Sequence, residues 1–194
     1  MNFISDFGDA AVLLPLALFL IAALWRYQSW AAAICLIQAL GLCVVVLVLL
    51  KIAFIACGMT WRAGVSSPSG HAGMSVMVYG SLGAVAARQS PRWRKPVLLL
   101  AVWLLVAAIA VSRVALGAHS YGEVLIGMSA GVAALCCFLL MYRKQSGGKM
   151  NWSLLAMIVC VGLPILHGMH VPAENLIRHL ALTARSGTDV CPNG

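Results

Sequence analysis

The stretch AAAICLIQALGLCVVVLVLL, residues 31–50, indicates what kind of protein this is, because twenty consecutive residues pass without a charge. A helix needs about 20 predominantly apolar residues to cross the hydrocarbon core of a bilayer. Within lipid, a segment must also satisfy its own backbone hydrogen bonds, which favours an α-helix. Residues 31–50 therefore predict a membrane-spanning helix.

Further apolar runs flank this stretch on both sides, at residues 10–24, 72–87, 97–111, 124–141 and 154–166. Together they predict an all-α fold: a polytopic membrane helix bundle of about six transmembrane helices, forming a single integral-membrane domain over residues 1–194. The last run is short and contains Pro164, so a re-entrant or interfacial segment stays open as an alternative. Residues 173–185 suggest a further short amphipathic helix on the membrane surface.

The composition excludes most other classes of protein. A chain that is 62% hydrophobic and 9% charged cannot cover a water-facing surface, and it is equally unlike a disordered or coiled-coil protein. The net charge of +8 would suggest a nucleic-acid partner in a soluble protein, but here the expected partner is the lipid bilayer and not nucleic acid. Most of the seven cysteines lie in apolar runs, so no disulfide framework is implied; Cys57 and Cys191 are either a pair or two free thiols.

Basic residues concentrate in every second loop: Arg26 after the first run, four residues between 88 and 95, and three between 143 and 149. Lys and Arg in short loops are retained on the cytoplasmic side of a membrane. The orientation predicted from this bias places those loops inside, and the other loops and both termini outside. Because the start is acidic, unlike the basic beginning of a signal peptide, the first run is expected to remain as an anchor.

The first outward loop carries Lys51, Arg62 and the segment SSPSGH at residues 66–71. This segment immediately precedes the third run, where unpaired N–H groups and the helix dipole make an anion site. Gly70 allows a ligand to approach the backbone closely. The alternative is a simple serine cap on the helix, with His71 as an interfacial side chain.

The second outward loop carries Arg113, His119 and Glu123. If the fifth helix begins near Gly117, the histidine and the carboxylate share one helix face and can touch. A carboxylate fixes the tautomer of an imidazole and raises its basicity, which prepares it as a nucleophile or base. The alternative is an interfacial pair with Arg113 at a helix C-terminus. Ionisable groups at membrane depth cost about 2.5–3.5 kcal/mol each, which favours the functional interpretation.

These residues carry a resemblance. The PSGH segment at 68–71, with Ser112-Arg113 and then His119 after five intervening residues, resembles the second and third signature motifs of the type 2 phosphatidic acid phosphatase superfamily, the integral-membrane lipid phosphate phosphatases. The resemblance covers residues 51–142. The family's third motif usually ends in Asp, whereas here that position is Glu123.

The family's first motif is only partly present. Lys51 occupies its lysine position, but Gly58 and Met59 stand where the family has Arg-Pro. Arg62, four residues after Gly58, is the guanidinium in this loop that could substitute for the missing arginine.

The resemblance implies a mechanism in which His119 attacks phosphorus to form a phosphohistidine, Glu123 holds its other nitrogen, and His71 protonates the leaving oxygen. It also implies phosphate binding by Lys51, Ser69, Gly70, Arg113 and, as a weaker candidate, Arg62. No metal or other cofactor is expected.

The function expected from residues and resemblance together is a phosphatase acting on a membrane lipid phosphate or pyrophosphate at the outer face of a bacterial inner membrane. Candidate substrates are undecaprenyl pyrophosphate, phosphatidic acid, phosphatidylglycerol phosphate and lipid A phosphate. Two alternatives stay open: phosphotransfer to a second lipid through the same site, and a catalytically weak protein that binds lipid headgroups. The sequence leaves the oligomeric state open.

Overall fold

The computed structural model describes residues 2–57, 65, 67–145 and 148–149, and this part of the chain is all-helical in its regular elements. In chain order the helices are α1 (Asn2–Asp6), α2 (Ala10–Tyr27), α3 (Trp30–Cys57), α4 (Gly70–Gln89), α5 (Lys95–Ala115) and α6 (Tyr121–Tyr142). Helices α2 to α6 contain the first five predicted runs, which confirms the all-α fold. The run at 154–166 and the segment 173–185 lie outside the described residues.

Within the part of the chain that the structure describes, four helices are long and apolar enough to cross a membrane: Phe3–Tyr27, Trp30–Ile55, Lys95–Ala115 and Tyr121–Tyr142. The third predicted span, now α4, is not among them. It is rich in glycine and serine, and most of its residues are buried, including Ser75 and Ser81. Because α2, α3, α5 and α6 all pack against α4, it presents little surface to lipid and needs no continuous apolar face. Of the five predicted runs that lie within the described residues, four are therefore apolar enough to span a membrane and the other, α4, is a more polar helix packed among them.

Helices α4 and α6 pack with their backbones in close contact. A Cβ atom at Gly127 would collide with the Ser69 carbonyl oxygen, and one at Gly131 would collide with the carbonyl oxygen of Gly73. A Cβ at Gly73 would in turn lie 2.7 Å from the Gly127 carbonyl oxygen. Gly127 and Gly131 form a GxxxG pattern, which here allows close backbone packing, as small residues commonly do between membrane helices.

The bundle has two chemically different ends. At one end the Arg88 side chain donates a 2.8 Å hydrogen bond to the Tyr142 carbonyl oxygen, and the Tyr142 hydroxyl donates at 2.8 Å to Gln28 Oε1. These contacts join the ends of α2, α4 and α6, where the predicted cytoplasmic loops leave the bundle. Lys51, Ser69, Arg113 and His119 belong to the opposite helix ends. The structure thus separates the two sets of loops, while the side of the membrane that each set faces remains a prediction from charge.

Candidate active site

The imidazole of His119 lies against the carboxylate of Glu123, with 2.9 Å between Nδ1 and Oε2. Both side chains are buried, exposed by 6% and 5% respectively. Within hydrogen-bonding distance of a carboxylate, Nδ1 carries the proton that it donates, and the lone pair of a neutral ring then lies on Nε2. The contact predicted from the four-residue spacing is present.

The position of His119 relative to the helix differs from the prediction. Helix α6 begins at Tyr121, and His119 precedes it; the expected helix start near Gly117 is therefore wrong. Ser120 is the N-cap, and its hydroxyl accepts from the Glu123 N–H while Glu123 Oε2 accepts from the Ser120 N–H at 3.0 Å. This capping box fixes the carboxylate at the start of the helix, because each partner satisfies a backbone donor of the other.

Gly117 explains why the chain can turn before this cap. Its φ angle is +65°, in the left-handed region that favours glycine after a helix ends. The Arg113 carbonyl oxygen accepts from the N–H groups of Ala118 and His119, at 3.1 and 3.3 Å. The C-terminus of α5 and the loop that carries the histidine are thereby held together.

Glu123 also connects the two predicted motifs. Its Oε1 accepts a 3.0 Å hydrogen bond from the Ser67 N–H, and its carbonyl oxygen accepts from the Ser69 N–H at 3.0 Å. The segment 67–69 enters α4, so the carboxylate that contacts His119 also determines where that helix begins. The two loops that were predicted to lie on the same side of the membrane are in direct contact.

The N-terminus of α4 is capped by the buried Ser69, whose Oγ accepts from the Ala72 N–H at 3.5 Å. Gly70 and His71 are the first two residues of the helix, where backbone N–H groups have no intrahelical acceptor. Lys51, buried near the end of α3, lies close by: a Cβ at Gly70 would be 3.8 Å from Lys51 Cε. A serine cap and a nearby cation are therefore both present. The interpretation as a helix cap and the interpretation as an anion site are compatible.

Arg113 lies in the last turn of α5, and its Nη1 donates a 2.8 Å hydrogen bond to Ser5 Oγ. His71 Nε2 lies 3.5 Å from Asp9 Oδ2. Sequence analysis assigned neither Ser5 nor Asp9 to the site. The available signal was Asp9 itself, an acidic residue directly before an apolar run and on the same predicted side as the histidines.

Four residues discussed from the sequence lie outside the part of the chain that the structure describes: Arg62, Gly58, Met59 and Cys191. Among the residues that the structure describes, no three His, Cys, Asp or Glu side chains form a group that could hold a metal ion.

Most residues of this site lie in a part of the chain that matches a known protein family. The model of the PAP2 superfamily matches residues 51–147, which is half of the chain. The chain belongs to the PAP2 superfamily. Its members are phosphatases, so family membership supports a phosphatase-type function on lipid phosphates.

The PAP2 chain is also similar to a protein of Klebsiella pneumoniae described as an uncharacterized 22.5 kDa protein in the cps region. The two are 30% identical over 189 residues, covering 92% of this chain and 88% of the relative. No solved structure matches the chain. The matched PAP2 range contains Lys51, Ser69, His71, Arg113 and His119, whereas the N-terminal residues that contact His71 and Arg113 precede it.

Proposed function

We propose that this PAP2 protein is a membrane lipid phosphate or pyrophosphate phosphatase that forms a phosphohistidine on His119. The observation that carries the proposal is the buried His119–Glu123 pair, 2.9 Å apart and hydrogen-bonded through Glu123 to the segment that starts α4. A nucleophile, its orienting carboxylate and a helix N-terminus meet at one end of a membrane bundle.

The geometry of the His119–Glu123 pair supports Nε2 as the attacking atom. Because Nδ1 of His119 faces Glu123, Nε2 is the nitrogen whose lone pair can form a bond to phosphorus. The carboxylate stabilises the positive charge that develops on the ring as this bond forms. Its fixed position in the capping box means that the protein need not reorganise during the attack.

The non-bridging oxygens of the phosphate require positive charge and hydrogen-bond donors. We assign them to Lys51, Arg113, the Ser69 hydroxyl and the N–H groups of Gly70 and His71. Hydrogen bonds to charged groups contribute about 1.5–3 kcal/mol each, and more when they are aimed at charge that develops in the transition state. With two cations and a helix N-terminus available, we propose that the reaction needs no metal ion.

We assign His71 as the acid in the formation of the phosphohistidine and as the base in its hydrolysis. Its side chain is 24% exposed, more than that of His119, which suits a group that meets a leaving lipid at the edge of the site. It protonates the leaving oxygen in the first step and removes a proton from water in the second, the usual exchange of acid and base roles.

The substrate is proposed to be a lipid because the polar groups lie at the end of a bundle whose outer surface is apolar. Leu100, Leu104 and Val111 of α5 are all exposed, as expected for a lipid-facing helix. Undecaprenyl pyrophosphate, phosphatidic acid, phosphatidylglycerol phosphate and lipid A phosphate all present the required headgroup. We place the protein in a bacterial inner membrane with this end outside, on the basis of the basic loops at the other end.

A panel of these lipid phosphates tests the proposal with purified protein in mixed micelles, with and without a chelator. We expect inorganic phosphate release from at least one lipid, unaffected by the chelator and lost in His119→Ala. Ser129→Ala, an exposed position of α6 away from the site, is the matched control and should retain full activity. Appearance of the phosphate on a second lipid would indicate a phosphotransferase; no turnover of any lipid phosphate would contradict the proposal.

A further inference from the structure

We infer that Asp9 is a positioning residue for His71, so that each histidine of the site works with its own carboxylate. The inference rests on the proposed function and extends it to the N-terminal segment. It concerns residues before position 51, outside the range that matches the PAP2 superfamily.

Asp9 is fixed by the fold in the orientation that the inference requires. It is the N-cap of α2: its Oδ1 accepts a 2.9 Å hydrogen bond from the Ala11 N–H, while Oδ2 lies 3.5 Å from His71 Nε2. One oxygen is therefore held by the helix and the other faces the imidazole. A separation of 3.5 Å is that of an ion pair rather than a short hydrogen bond, and catalytic contacts commonly tighten when substrate binds.

The segment around Asp9 is held against the bundle from several directions. The Tyr79 hydroxyl, two turns along α4 from His71, donates a 2.8 Å hydrogen bond to the Phe7 carbonyl oxygen. Ser5 Oγ accepts from Arg113, and a Cβ at Gly8 would lie 2.7 Å from the Ile109 side chain. These contacts mean that the position of Asp9 relative to His71 is set by α4 and α5 and not by α2 alone.

Capping alone does not explain why position 9 carries a charge. Asn, Asp and Ser cap helices about equally well, so a neutral residue would serve α2. The Asp9 residue is only 7% exposed, and burial of a carboxylate is unfavourable unless it is paired. The contact with His71 contributes to that compensation, and the same carboxylate can stabilise positive charge on the imidazole.

The proposed step follows from this pairing. With Nε2–H directed to Asp9, the imidazolium of His71 donates its Nδ1 proton to the leaving oxygen. The phosphorus–oxygen bond breaks with its electron pair going to that oxygen, as the Nε2 lone pair of His119 forms the phosphorus–nitrogen bond. In the second step a water oxygen forms the new phosphorus–oxygen bond while Nδ1 of His71 accepts a proton from that water. The phosphorus–nitrogen bond breaks with its electrons returning to Nε2 of His119, and inorganic phosphate is released.

Leaving-group dependence distinguishes positioning of an acid from a structural role. An alkoxide leaving group needs a proton, whereas a nitrophenolate leaves without one. Asp9→Asn keeps a capping side chain and removes the charge, so we expect kcat/KM to fall about 10- to 100-fold for a lipid alkyl phosphate. For a nitrophenyl phosphate bearing a long alkyl chain, the same variant should fall less than about threefold.

The ratio of the two kcat/KM values is measured on one preparation, so it does not depend on the fraction of protein that is folded. His71→Ala should show the same selective loss, and the double variant should be no worse than His71→Ala alone, because the two residues act as a unit. Asp9→Glu should recover part of the alkyl phosphate activity. Asp6→Asn, which removes a carboxylate from the same segment, is the control and should leave the ratio unchanged.

Equal losses on both substrates in Asp9→Asn, or wild-type activity on both, would overturn the inference while the proposed function stands. A wild-type protein that hydrolyses neither substrate would overturn both together.

Discussion

Glu123 joins three parts of the site. Its carboxylate accepts from His119, Ser120 and Ser67, so that one residue orients the proposed nucleophile, caps α6 and holds the entry to α4. A carboxylate can accept all of these bonds because both of its oxygens are acceptors only. The longer arm of glutamate, where the family usually has aspartate, spans these donors.

This arrangement predicts the behaviour of two conservative substitutions. In Glu123→Gln, the amide NH2 must face a donor on one side, so the orientation of His119 is disturbed and we expect kcat/KM to fall by about 10²- to 10⁴-fold. Glu123→Asp keeps the charge but shortens the arm, and should lose less. Steady-state kinetics on the preferred lipid phosphate measure both variants. A Glu123→Gln variant with wild-type kcat/KM would contradict the assigned role.

The proposed role of Arg62 in phosphate binding rests on the sequence alone, because this residue lies outside the described residues. If it replaces the arginine that Gly58 does not provide, Arg62→Ala should lower kcat/KM by about 10-fold or more, since a charge-assisted bond to phosphate contributes about 1.5–3 kcal/mol. Arg92→Ala, at the other end of the bundle, is the matched control. An unchanged kcat/KM in Arg62→Ala would remove this arginine from the site.

At the scale of elements, the contact of α4 with α6 positions the site. Both helices start at the site end, and the glycines that bring their backbones together lie within two turns of Ser69 and Glu123. The GxxxG pattern of Gly127 and Gly131 is typical of close helix packing, but such a pattern does not specify which helix it faces. Contact with the Ser69 and Gly73 carbonyl oxygens identifies α4.

Gly127→Ala tests this contact. The added methyl group would meet the Ser69 carbonyl oxygen, and overpacking of this kind costs about 1–3 kcal/mol of stability. Gly41→Ala in α3 is the matched control, since a Cβ there has nothing within 4 Å. Alanine favours a helix over glycine by about 0.5–1 kcal/mol, so this control should be neutral or stabilising. Thermal unfolding in detergent gives the comparison, and equal Tm values for the two variants would refute the packing role.

The elements that the sequence predicted well are those with long uncharged runs, since hydropathy reports directly on lipid exposure. Sequence analysis predicted an apolar span at α4, but the observed helix is more polar than the others. A helix enclosed by other helices has little contact with lipid and can therefore carry polar residues. The sequence did not predict α1, a five-residue helix too short to show a period. The contact of His119 with Glu123 was predicted from spacing, but the capping box that produces it depends on where α6 begins, which periodicity does not fix.

At the scale of the whole molecule, the basic loops and the candidate site lie at opposite ends of the bundle. The sequence marked Asp9 as an acidic residue before an apolar run, but it did not predict the contacts of Asp9 and Ser5, because these join residues far apart in the chain. The helix ends, by contrast, alternate as the charge pattern predicted. The prediction that the site end faces outward rests on the general retention of Lys and Arg in cytoplasmic loops.

Single cysteines in a variant without the seven native ones test this orientation. Tyr121 is 75% exposed at the site end, and Arg92 is exposed in the loop between α4 and α5. A membrane-impermeant maleimide added to intact cells should label Tyr121→Cys and leave Arg92→Cys unlabelled until the membrane is permeabilised. The reverse pattern would place the site inside the cell.

The central claim, covalent catalysis by His119, is tested most directly by trapping the phosphoenzyme. Protein mixed with radiolabelled lipid phosphate and quenched within one turnover should carry a phosphate that is stable in alkali and labile in acid, on a peptide containing His119. His119→Ala should carry none and release no phosphate. Hydrolysis by the wild type with no phosphoenzyme at any quench time, together with an active His119→Ala variant, would contradict the mechanism.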